Sequence, residues 1–360
     1  MTKDEAPTMK VARLTQERLA ELIERFGRQR IAVLGDFFLD KYLDIDPRIA
    51  DVSVESGKTA HQVVGVRMSP GAAGTVTMNV AALGPGQLHA IGLTGDDGEG
   101  YDLRKCLTAL GCTHDHLHVG ADRHTPQYLK PRDITDLSLA GEHPRFDTKN
   151  RTPTPPELER RIMESIDALL PELDALVVMD QIEMDECGAV TTAVREMLAD
   201  RAKKFPRVIF WADSRRRIRR FRNTVIKVNQ FEAMGWASWL PEDEVPLADL
   251  CPAVERLRAQ NGLPVFVTRG SQGMLVSDPW TLVPGVRIDG EIDPTGAGDS
   301  CSAGCVLALC AGATPPEAAV VGNLVASITI QQLGTTGTAR REQLPDRLAL
   351  WQKQQEEMGS

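Results

Sequence analysis

The hydrophobic and polar positions of this chain follow two periods, one typical of helices and one typical of strands. Apolar side chains recur at helical spacing over residues 14–26 and predict an amphipathic helix. Short apolar runs that end in turn residues predict buried strands, with helices between them. The predicted strands are 31–36, 90–93, 175–180, 208–213, 224–229 and 264–268, and the predicted helices include 158–170, 187–203 and 315–333.

Strands that alternate with helices favour an α/β fold with one mostly parallel sheet, covered by helices on both faces. Two polar, interrupted stretches, at about 43–67 and 119–147, predict a small β lid beside that sheet. The predicted organisation is an N-terminal helical extension at 1–29, a main domain at 30–338 that includes the lid, and a C-terminal helix and tail at 339–360.

The composition of the chain argues against several classes of protein. The 360 residues carry a net charge of −9, which argues against a general nucleic-acid surface or an anionic-membrane surface, because both require a basic face. The seven cysteines form no paired spacing, so we expect reduced thiols. Residues 1–13 lack the apolar core of a leader and no run is long enough to span a membrane, so we expect a cytoplasmic protein.

The run 293–299, Asp-Pro-Thr-Gly-Ala-Gly-Asp, leads directly into an apolar helix of small residues. Backbone N–H groups at the start of a helix, here those of Gly296, Ala297 and Gly298, form an anion site that the helix dipole reinforces. Asp299 places a proton-accepting carboxylate beside that site, which suggests phosphoryl transfer to a hydroxyl. An ordinary N-cap and a glycine turn explain the same residues equally well when the run is taken alone.

Two further carboxylates follow the first predicted strand, in the run Gly-Asp-Phe-Phe-Leu-Asp at 35–40. Asp36 and Asp40 lie where parallel sheets bind ligands, although Asp36 also suits a turn cap. Asn229 and Glu232, at another strand-to-helix junction, share one face of a first helical turn. That pair is also a capping box, and one pair of residues can serve both purposes.

The run at 293–299 closely resembles the signature of the ribokinase-like (PfkB) carbohydrate kinases, and other segments resemble the same family in the same order. The resemblance implies a three-layer α/β/α kinase with a small β lid. It implies that Asp299 is the general base and that the amides of Gly296, Ala297 and Gly298 meet the migrating phosphoryl group. No Gly-x-x-x-x-Gly-Lys-Ser/Thr loop is present, so the phosphates would be held without a Walker A motif.

The same resemblance implies a sugar site. Its residues are Asp36, Asp40, Gly71, Ala72 and Thr75. Ala72 stands where the family has a second glycine, and Thr75 stands where it has an asparagine, so the identity of the sugar stays open. Lys130 and Arg145 are candidates to meet an acidic substituent such as a phosphate, and solvated basic residues are an equally good interpretation.

For the nucleotide, the resemblance implies ATP with Mg²⁺ held near Asn229 and Glu232 through water. It assigns further nucleotide contacts to Arg215, Thr268, Gly270, Gly273 and Asn323. Arg215 begins a run of six arginines at 215–222, most of which we interpret as a solvated surface. Asp293, Thr295 and the turn at 334–337 match residues that help to seat a monovalent cation such as K⁺, but oxygen ligands alone do not identify an ion.

The segments 35–40 and 78–84 are most similar to bacterial heptose-phosphate kinases. A heptose 7-phosphate is therefore the first expected acceptor, with ribose, fructose, another sugar or a nucleoside as alternatives. A non-catalytic sugar or nucleotide sensor on the same fold is the alternative from a different class, since Ala72 and Thr75 replace expected contacts. The resemblance also implies a homodimer formed through the lid.

Overall fold

The computed structural model describes residues 9–136, 141–240, 243–334 and 336–359. Within these ranges the strands, in chain order, are β1 (Lys10–Val11), β2 (Arg30–Gly35), β3 (Phe37–Ile45), β4 (Asp51–Val52), β5 (Thr59–Ala60), β6 (Val63–Ala72), β7 (Gln87–Gly95), β8 (Thr113–Gly120), β9 (Gln127–Asp133), β10 (Phe146–Thr148), β11 (Ala175–Asp180), β12 (Ile209–Ser214), β13 (Val225–Asn229), β14 (Val265–Thr268), β15 (Met274–Ser277) and β16 (Trp280–Val283).

The helices lie between these strands and after them. They are α1 (Gln16–Phe26), α2 (Ala73–Leu83), α3 (Gly98–Ala109), α4 (Pro156–Leu169), α5 (Thr192–Lys204), α6 (Gln230–Met234), α7 (Leu247–Asn261), α8 (Ala297–Cys310), α9 (Pro315–Thr329) and α10 (Leu344–Gly359). No helix in the described part of the chain combines the length and the apolar character that a membrane span requires.

The main sheet has the order β1-β16-β15-β14-β13-β12-β11-β2-β7-β8 among the described residues. Its neighbours pair in parallel except β14 with β15 and β15 with β16, which are antiparallel. The mostly parallel sheet is thereby confirmed, and β15 returns antiparallel to β14 after the turn at 270–273. Because parallel strands end at one edge, the loops after β2, β11, β12, β13 and β14 meet there.

Two hydrophobic cores cover the two faces of this sheet. In β2, Ile31 and Val33 belong to one core and Ala32 and Leu34 to the other, as the two-residue period of a strand requires. Helices α2, α8 and α9 contribute to the first core, and α4, α5 and α7 to the second. The result is the three-layer α/β/α arrangement predicted from the alternating pattern.

A four-stranded sheet with the order β10-β9-β3-β6 stands beside the main sheet. The lid segments predicted at about 43–67 and 119–147 contribute to it, but it extends further and begins at Phe37. Residues 137–140, within the second segment, lie outside the described residues. Asp40 therefore belongs to the lid sheet, while Asp36 belongs to the junction between the two sheets.

The first and last described elements pack onto the main body. Strand β1 pairs with β16, and Leu19, Leu22 and Phe26 of α1 share the first core with Leu348 and Trp351 of α10. The boundaries at 29/30 and 338/339 remain predictions, whereas the packing shows that neither terminal helix stands apart from that core. The terminal helix is thus partly apolar rather than a fraying tail.

One predicted helix begins in the wrong place. The pattern predicts a helix over 187–203, but α5 begins at Thr192, with Thr191 as its N-cap. Residues 181–191 instead form a loop, in which Glu186 has a positive φ of 62°. Apolar residues at 189 and 190 extend the helical pattern backwards because they pack against the core from a loop.

Helices α8 and α9 pack closely at two glycines, each of which faces a side chain of the other helix. A Cβ added at Gly322 would lie 2.4 Å from the Cys305 sulfur, and one added at Gly304 would lie 2.9 Å from Val325. These distances leave no room for a methyl group. The helix that begins with the Gly-Ala-Gly-Asp run is therefore held directly against its neighbour.

Candidate active site

The amino end of α8 presents free backbone amides. Gly296, with φ of 76°, is the N-cap, and Asp299 lies in the first turn. No hydrogen bond within the described residues engages the N–H of Gly296 or Gly298. The N–H of Ala297 instead donates to the Pro294 carbonyl oxygen at 3.1 Å, and its contact with a phosphoryl oxygen stays a prediction.

A buried lysine lies directly beneath these amides. A Cβ added at Gly298 would be 2.9 Å from Nζ of Lys227, so only glycine leaves room for the ammonium group. Lys227 forms a close ion pair with Asp213, and both side chains are more than nine-tenths buried. Burial lowers the pKa of Lys227, but Asp213 and Asp299 outweigh this effect and raise it, which keeps the ammonium charged.

Asp299 is half-buried and lines the cleft beside this cluster. Burial raises its pKa to about 7, Lys227 opposes that rise and Asp213 adds to it. A carboxylate with a pKa near the working pH can both accept a proton and release it. The predicted base therefore has the electrostatic setting that proton transfer requires.

Asn229 and Glu232 form the capping box of α6. The Asn229 Oδ1 accepts from the N–H groups of residues 231 and 232, and the Glu232 Oε2 accepts from the Asn229 N–H at 2.8 Å. Within the described residues the second carboxylate oxygen of Glu232 and the amide nitrogen of Asn229 have no partner, and both residues line the cleft. Burial, reinforced by Asp213, raises the pKa of Glu232.

These oxygen donors suit a hydrated magnesium ion. In the described part of the chain no group of three or more His, Cys, Asp or Glu side chains is arranged to bind a metal directly. Mg²⁺ dehydrates reluctantly and is often held by one or two carboxylates through water. The free oxygen of Glu232 fits that mode, so the capping role and the metal-positioning role are compatible.

The cleft that these residues share has a volume of about 520 Å³. It is lined by Gln181, Glu183, Asp213, Arg215, Arg216, Lys227, Asn229, Glu232, Trp236, Ala237, Trp239, Thr268, Gly298 and Asp299. Arg215 and Arg216 form no ion pair within the described residues, so both guanidinium groups are available to an anion. Within the rest of the run, Arg217 is buried against Asp180, whereas Arg219 and Arg220 are exposed, as a solvated surface requires.

A second cavity of about 280 Å³ adjoins the cleft at Asn229, Trp239 and Thr268 and includes Gly270. Gly273 has a different environment, because a Cβ there would lie 2.1 Å from the Val283 carbonyl oxygen. It serves the hairpin rather than this cavity. Asn323, which was predicted to contact the nucleotide, has other partners. It is 8% exposed, and its amide nitrogen donates to the carbonyl oxygens of residues 283 and 284.

Asp40 lies on the lid side of the cleft with one free oxygen. Its Oδ2 accepts from Lys130 Nζ at 3.0 Å, while its buried Oδ1 has no partner within the described residues. A Cβ at Gly71 would lie 2.5 Å from that Oδ1, so glycine is required there. Burial raises the pKa of Asp40, and Lys130 partly offsets this. An unpaired buried carboxylate oxygen is well suited to accept a hydrogen bond from a hydroxyl.

Three predicted substrate residues have other partners. Asp36 is 5% exposed and accepts three backbone N–H bonds, so it does not hold a sugar hydroxyl. Lys130 is buried between Asp40 and the Tyr42 hydroxyl, which commits its charge within the protein. Arg145 forms a bidentate pair with Asp147 and lies 4.0 Å from the centre of the Tyr128 ring. Only Arg145 of these three stays partly exposed.

Ala72 and Thr75, the two residues that differ from the family's pattern, lie at the start of α2. Ala72 has φ of 54° and ψ of −115°, a conformation that suits glycine, so the position keeps the backbone of the residue it replaces. Thr75 lies next to the anion site, since a Cβ at Gly296 would be 3.2 Å from its methyl group. Its predicted contact with the sugar stays a prediction.

The segment proposed for a monovalent cation is only partly described. The Thr295 N–H donates to Asp293 Oδ1 at 3.0 Å, and the Asp293 N–H donates to the carbonyl oxygen of Ile330 at 2.8 Å. Thr335, in the turn predicted to complete the site, lies outside the described residues. The cation therefore stays a prediction.

A model of the family described as pfkB family carbohydrate kinase matches residues 31–341. The chain belongs to the pfkB family of carbohydrate kinases. The match includes the lid strands, the loops at the carboxyl edge and the amino end of α8. The family predicted from the order of the motifs is thus confirmed.

Two bacterial proteins, each named bifunctional protein HldE, resemble this kinase. The proteins of Gluconobacter oxydans and Caulobacter vibrioides are both 28% identical to it over 326 residues, or 89% of its chain. The chain spans 65% and 63% of the lengths of those relatives.

Solved structures show the same fold. Phosphofructokinase-2 from Escherichia coli, in complex with substrates and products, matches with a TM-score of 0.66 and 18% identity over 90% of this chain and 99% of its own. Ribokinase from Thermotoga maritima matches with a TM-score of 0.61 and 20% identity over 89% and 99%. The predicted ribokinase-like fold is confirmed.

Several cleft residues of this kinase were not predicted from the sequence. Lys227 and Asp213 stand on adjacent strands and meet beneath the anion site, Gln181 follows β11, and Arg216 follows β12. The detectable signal was a lysine and an aspartate within otherwise apolar strands, since buried charges are rare unless paired. Glu183, Trp236 and Trp239, which also line the cleft, were not predicted either.

Proposed function

We propose that this kinase transfers the γ-phosphoryl group of ATP to a hydroxyl of a sugar phosphate, with a heptose 7-phosphate as the first acceptor to test. The observation that supports this best is Asp299, which lies beside free backbone amides and above the Lys227 ammonium. The likeness to the two HldE proteins, at 28% identity, favours a heptose acceptor.

In the proposed reaction the acceptor hydroxyl gives its proton to the Asp299 carboxylate. Its oxygen forms the new bond to phosphorus while the bond between that phosphorus and the β-phosphate oxygen breaks, so ADP leaves with the electron pair. The free amides of Gly296 and Gly298 and the charge of Lys227 would stabilise negative charge on the phosphoryl oxygens.

Mg²⁺ would be held through water by Glu232 and Asn229 and would neutralise phosphate charge. On the acceptor side, the free oxygen of Asp40 would accept a hydrogen bond from a second hydroxyl of the sugar. Arg145 and Arg215, both exposed in part, would face the acidic groups of the substrates.

A panel of sugars, sugar phosphates and nucleosides with ATP, scored by ADP release, tests this function and identifies the acceptor. We expect the highest turnover with a heptose 7-phosphate. Turnover with ribose, fructose or a nucleoside instead would correct the acceptor class. ADP release that no acceptor increases would refute the kinase assignment.

A sugar or nucleotide sensor is the second candidate. The observations that favour it are the strained backbone of Ala72 and the loss of an amide at Thr75. Such a protein would bind a sugar phosphate tightly in calorimetry without releasing ADP. The acid beside the anion site argues for the enzyme, because binding alone does not require a proton acceptor.

We also propose a homodimer formed through the lid. Strand β6 is an edge of the lid sheet, and its Val64 and Val66 share one face and are 53% and 50% exposed. Exposed apolar edge strands readily pair with a second chain. In sedimentation experiments we expect a dimer that the double variant Val64→Lys, Val66→Lys converts to a monomer; a monomeric wild type would refute the proposal.

The proposed location is the cytoplasm. All seven cysteines are free thiols, which fits a reducing compartment. ATP, the proposed donor, is supplied there. Fractionation of cells that produce the protein would test this location, and recovery outside the cytoplasm would refute it.

A further inference from the structure

Three sulfur atoms, here called the sulfur cluster, meet in the core beside helix α8. Cys301 and Cys305 lie one turn apart on α8, and Met274 begins strand β15. The Cys301 Sγ donates a hydrogen bond to the Met274 Sδ at 3.4 Å. Cys301, Cys305 and Met274 are 2%, 0% and 1% exposed. The sulfur cluster is therefore enclosed by the protein.

Gly322 of α9 leaves room for both thiols. A Cβ at Gly322 would lie 2.4 Å from the Cys305 sulfur and 3.0 Å from the Cys301 sulfur, so both sulfurs lie close to one point. The Cys305 thiol donates to Cys301, which lowers the pKa of the Cys301 thiol although burial opposes the change. The two thiols and the thioether thus converge on one another.

The donor set of the sulfur cluster suits a soft cation. A buried cysteine can also pack as a small apolar residue, and the buried Cys112 donates to the carbonyl oxygen of Thr113 instead of to another sulfur. Thiolate and thioether ligands together select Cu(I). Zn²⁺ takes four ligands in structural sites, and within the described residues no third His, Cys, Asp or Glu joins the two cysteines in a metal-binding group. Three sulfurs without a fourth ligand therefore favour Cu(I).

Lys227 would balance the charge of such an ion. Cu(I) with two thiolates carries one net negative charge, which is costly in a core unless a cation lies nearby. The Lys227 ammonium, beneath the amino end of α8, acts electrostatically on both thiols. This ammonium stays charged, since the charges of Asp213 and Asp299 outweigh the effect of burial on its pKa.

We propose that Cys301, Cys305 and Met274 bind one Cu(I) ion through their three sulfur atoms, and that the bound ion slows the kinase reaction. Binding releases the two thiol protons to solvent and leaves the oxidation state of copper and sulfur unchanged. The added negative charge offsets part of the charge that Lys227 directs at the phosphoryl group. The effect on turnover, unlike the binding, rests on the proposed kinase function.

Titration of the reduced protein with Cu(I), in competition with the Cu(I) chelator bicinchoninate, tests the site. We expect the wild type to withdraw one ion per chain from the chelator and the double variant Cys301→Ser, Cys305→Ser to withdraw none. Cys112→Ser, Cys251→Ser is the matched control, because it removes two other buried thiols and should still bind one ion. Equal binding by the wild type and the first double variant, or no binding by the wild type, would overturn the proposal.

Two further measurements do not depend on how well the cysteine variants fold. X-ray absorption of the copper-loaded wild type should show a first shell of three sulfurs, and nitrogen or oxygen ligands there would overturn the site. Met274→Leu keeps the apolar volume, and it should raise the Kd of Cu(I) at least about tenfold, since even the loss of a residue that supports a ligand costs that much. An unchanged Kd, or displacement of the ion by excess Zn²⁺, would contradict a three-sulfur copper site.

ADP release tests the effect on turnover. With an acceptor that the wild type uses, we expect copper loading to lower kcat about fivefold or more, a small part of what the loss of one stabilising group costs. The chelator should restore kcat, and Cys301→Ser, Cys305→Ser should not respond to copper. Full turnover by the loaded wild type would refute the effect on the reaction. If no acceptor gives turnover, the proposed function fails and this effect with it, while the titration still decides the copper site.

Discussion

The carboxylate of Asp299 lies where several charges act on it together. Burial raises its pKa to about 7, and the Lys227 ammonium limits that rise while Asp213 increases it. Asp213 also pairs with Lys227, so the two charges beneath the anion site largely offset each other. This balance keeps a buried acid able to exchange its proton near neutral pH.

In Asp299→Asn an amide of similar size replaces the proton acceptor. We expect kcat to fall by about 10²–10⁴-fold, the range that a positioned base contributes, while the Kd of ATP stays within about threefold. ADP release and calorimetry measure the two quantities. Turnover within about threefold of wild type would show that Asp299 is not the base.

The pH dependence of kcat/KM follows from the ionisation of Asp299. Asp299 must be ionised to accept a proton, so kcat/KM should rise as the pH increases through about 7 and be lost below it. Because Lys227 lowers the pKa of Asp299, Lys227→Met should move this acid limb to higher pH. The control is Lys204→Met, an exposed lysine of α5, which should leave the limb in place. A limb that stays or moves to lower pH in Lys227→Met would contradict this charge balance.

Residues at the starts of helices were predictable, whereas residues that meet across strands were not. Asp299, Asn229 and Glu232 each occupy a recognisable turn, so their local position could be inferred from spacing alone. Lys227 lies in an apolar strand, and its place beneath Gly298 depends on a contact between elements about seventy positions apart. Asp36 shows the converse, because its motif was clear but three backbone donors take its oxygens.

At the scale of elements, helix α2 begins with a strained residue. Ala72 is its N-cap, has positive φ and makes no side-chain cap. The predicted glycine motif located this turn correctly, since the backbone has the conformation that a glycine would adopt. By contrast, the start of α5 was predicted too early, because apolar residues at 189 and 190 imitate a helical period.

Ala72→Gly should remove this strain. A non-glycine residue in such a conformation costs about 1–3 kcal/mol, and glycine adds about 0.5–1 kcal/mol of backbone entropy, so we expect a gain of about 1 kcal/mol in the free energy of unfolding. Urea denaturation measures it. Ala73→Gly, inside α2, is the matched control and should lose about 1 kcal/mol. A loss in Ala72→Gly would show that the turn is not strained.

At the scale of the whole molecule, the two ends of the chain complete one core. Trp351 of α10 is 2% exposed, and its indole N–H donates to the Pro284 carbonyl oxygen at 2.8 Å. The sequence predicted both terminal helices but not their partners, because hydrophobic periodicity shows that a face is buried and not against what. Alternation of strands and helices, which is a local signal, was enough to predict the three layers.

Trp351→Ala should therefore destabilise the fold and not only the terminus. We expect a loss of about 3–5 kcal/mol in the free energy of unfolding, as for other buried large-to-small changes. Leu350→Ala is the control, since Leu350 is 38% exposed and should lose much less. A similar small loss in both variants would show that α10 is not part of the cooperative core.

The glycine contact between α8 and α9 links packing to catalysis. At Gly304 the Val325 side chain of α9 lies directly against the backbone of α8, and at Gly322 the Cys305 side chain of α8 lies directly against the backbone of α9, so larger residues there would push the two helices apart. Asp299 lies in the first turn of α8, so its position depends on how that helix packs. The placement of the proposed base in the cleft is thus set in part by a helix contact in the interior of the protein.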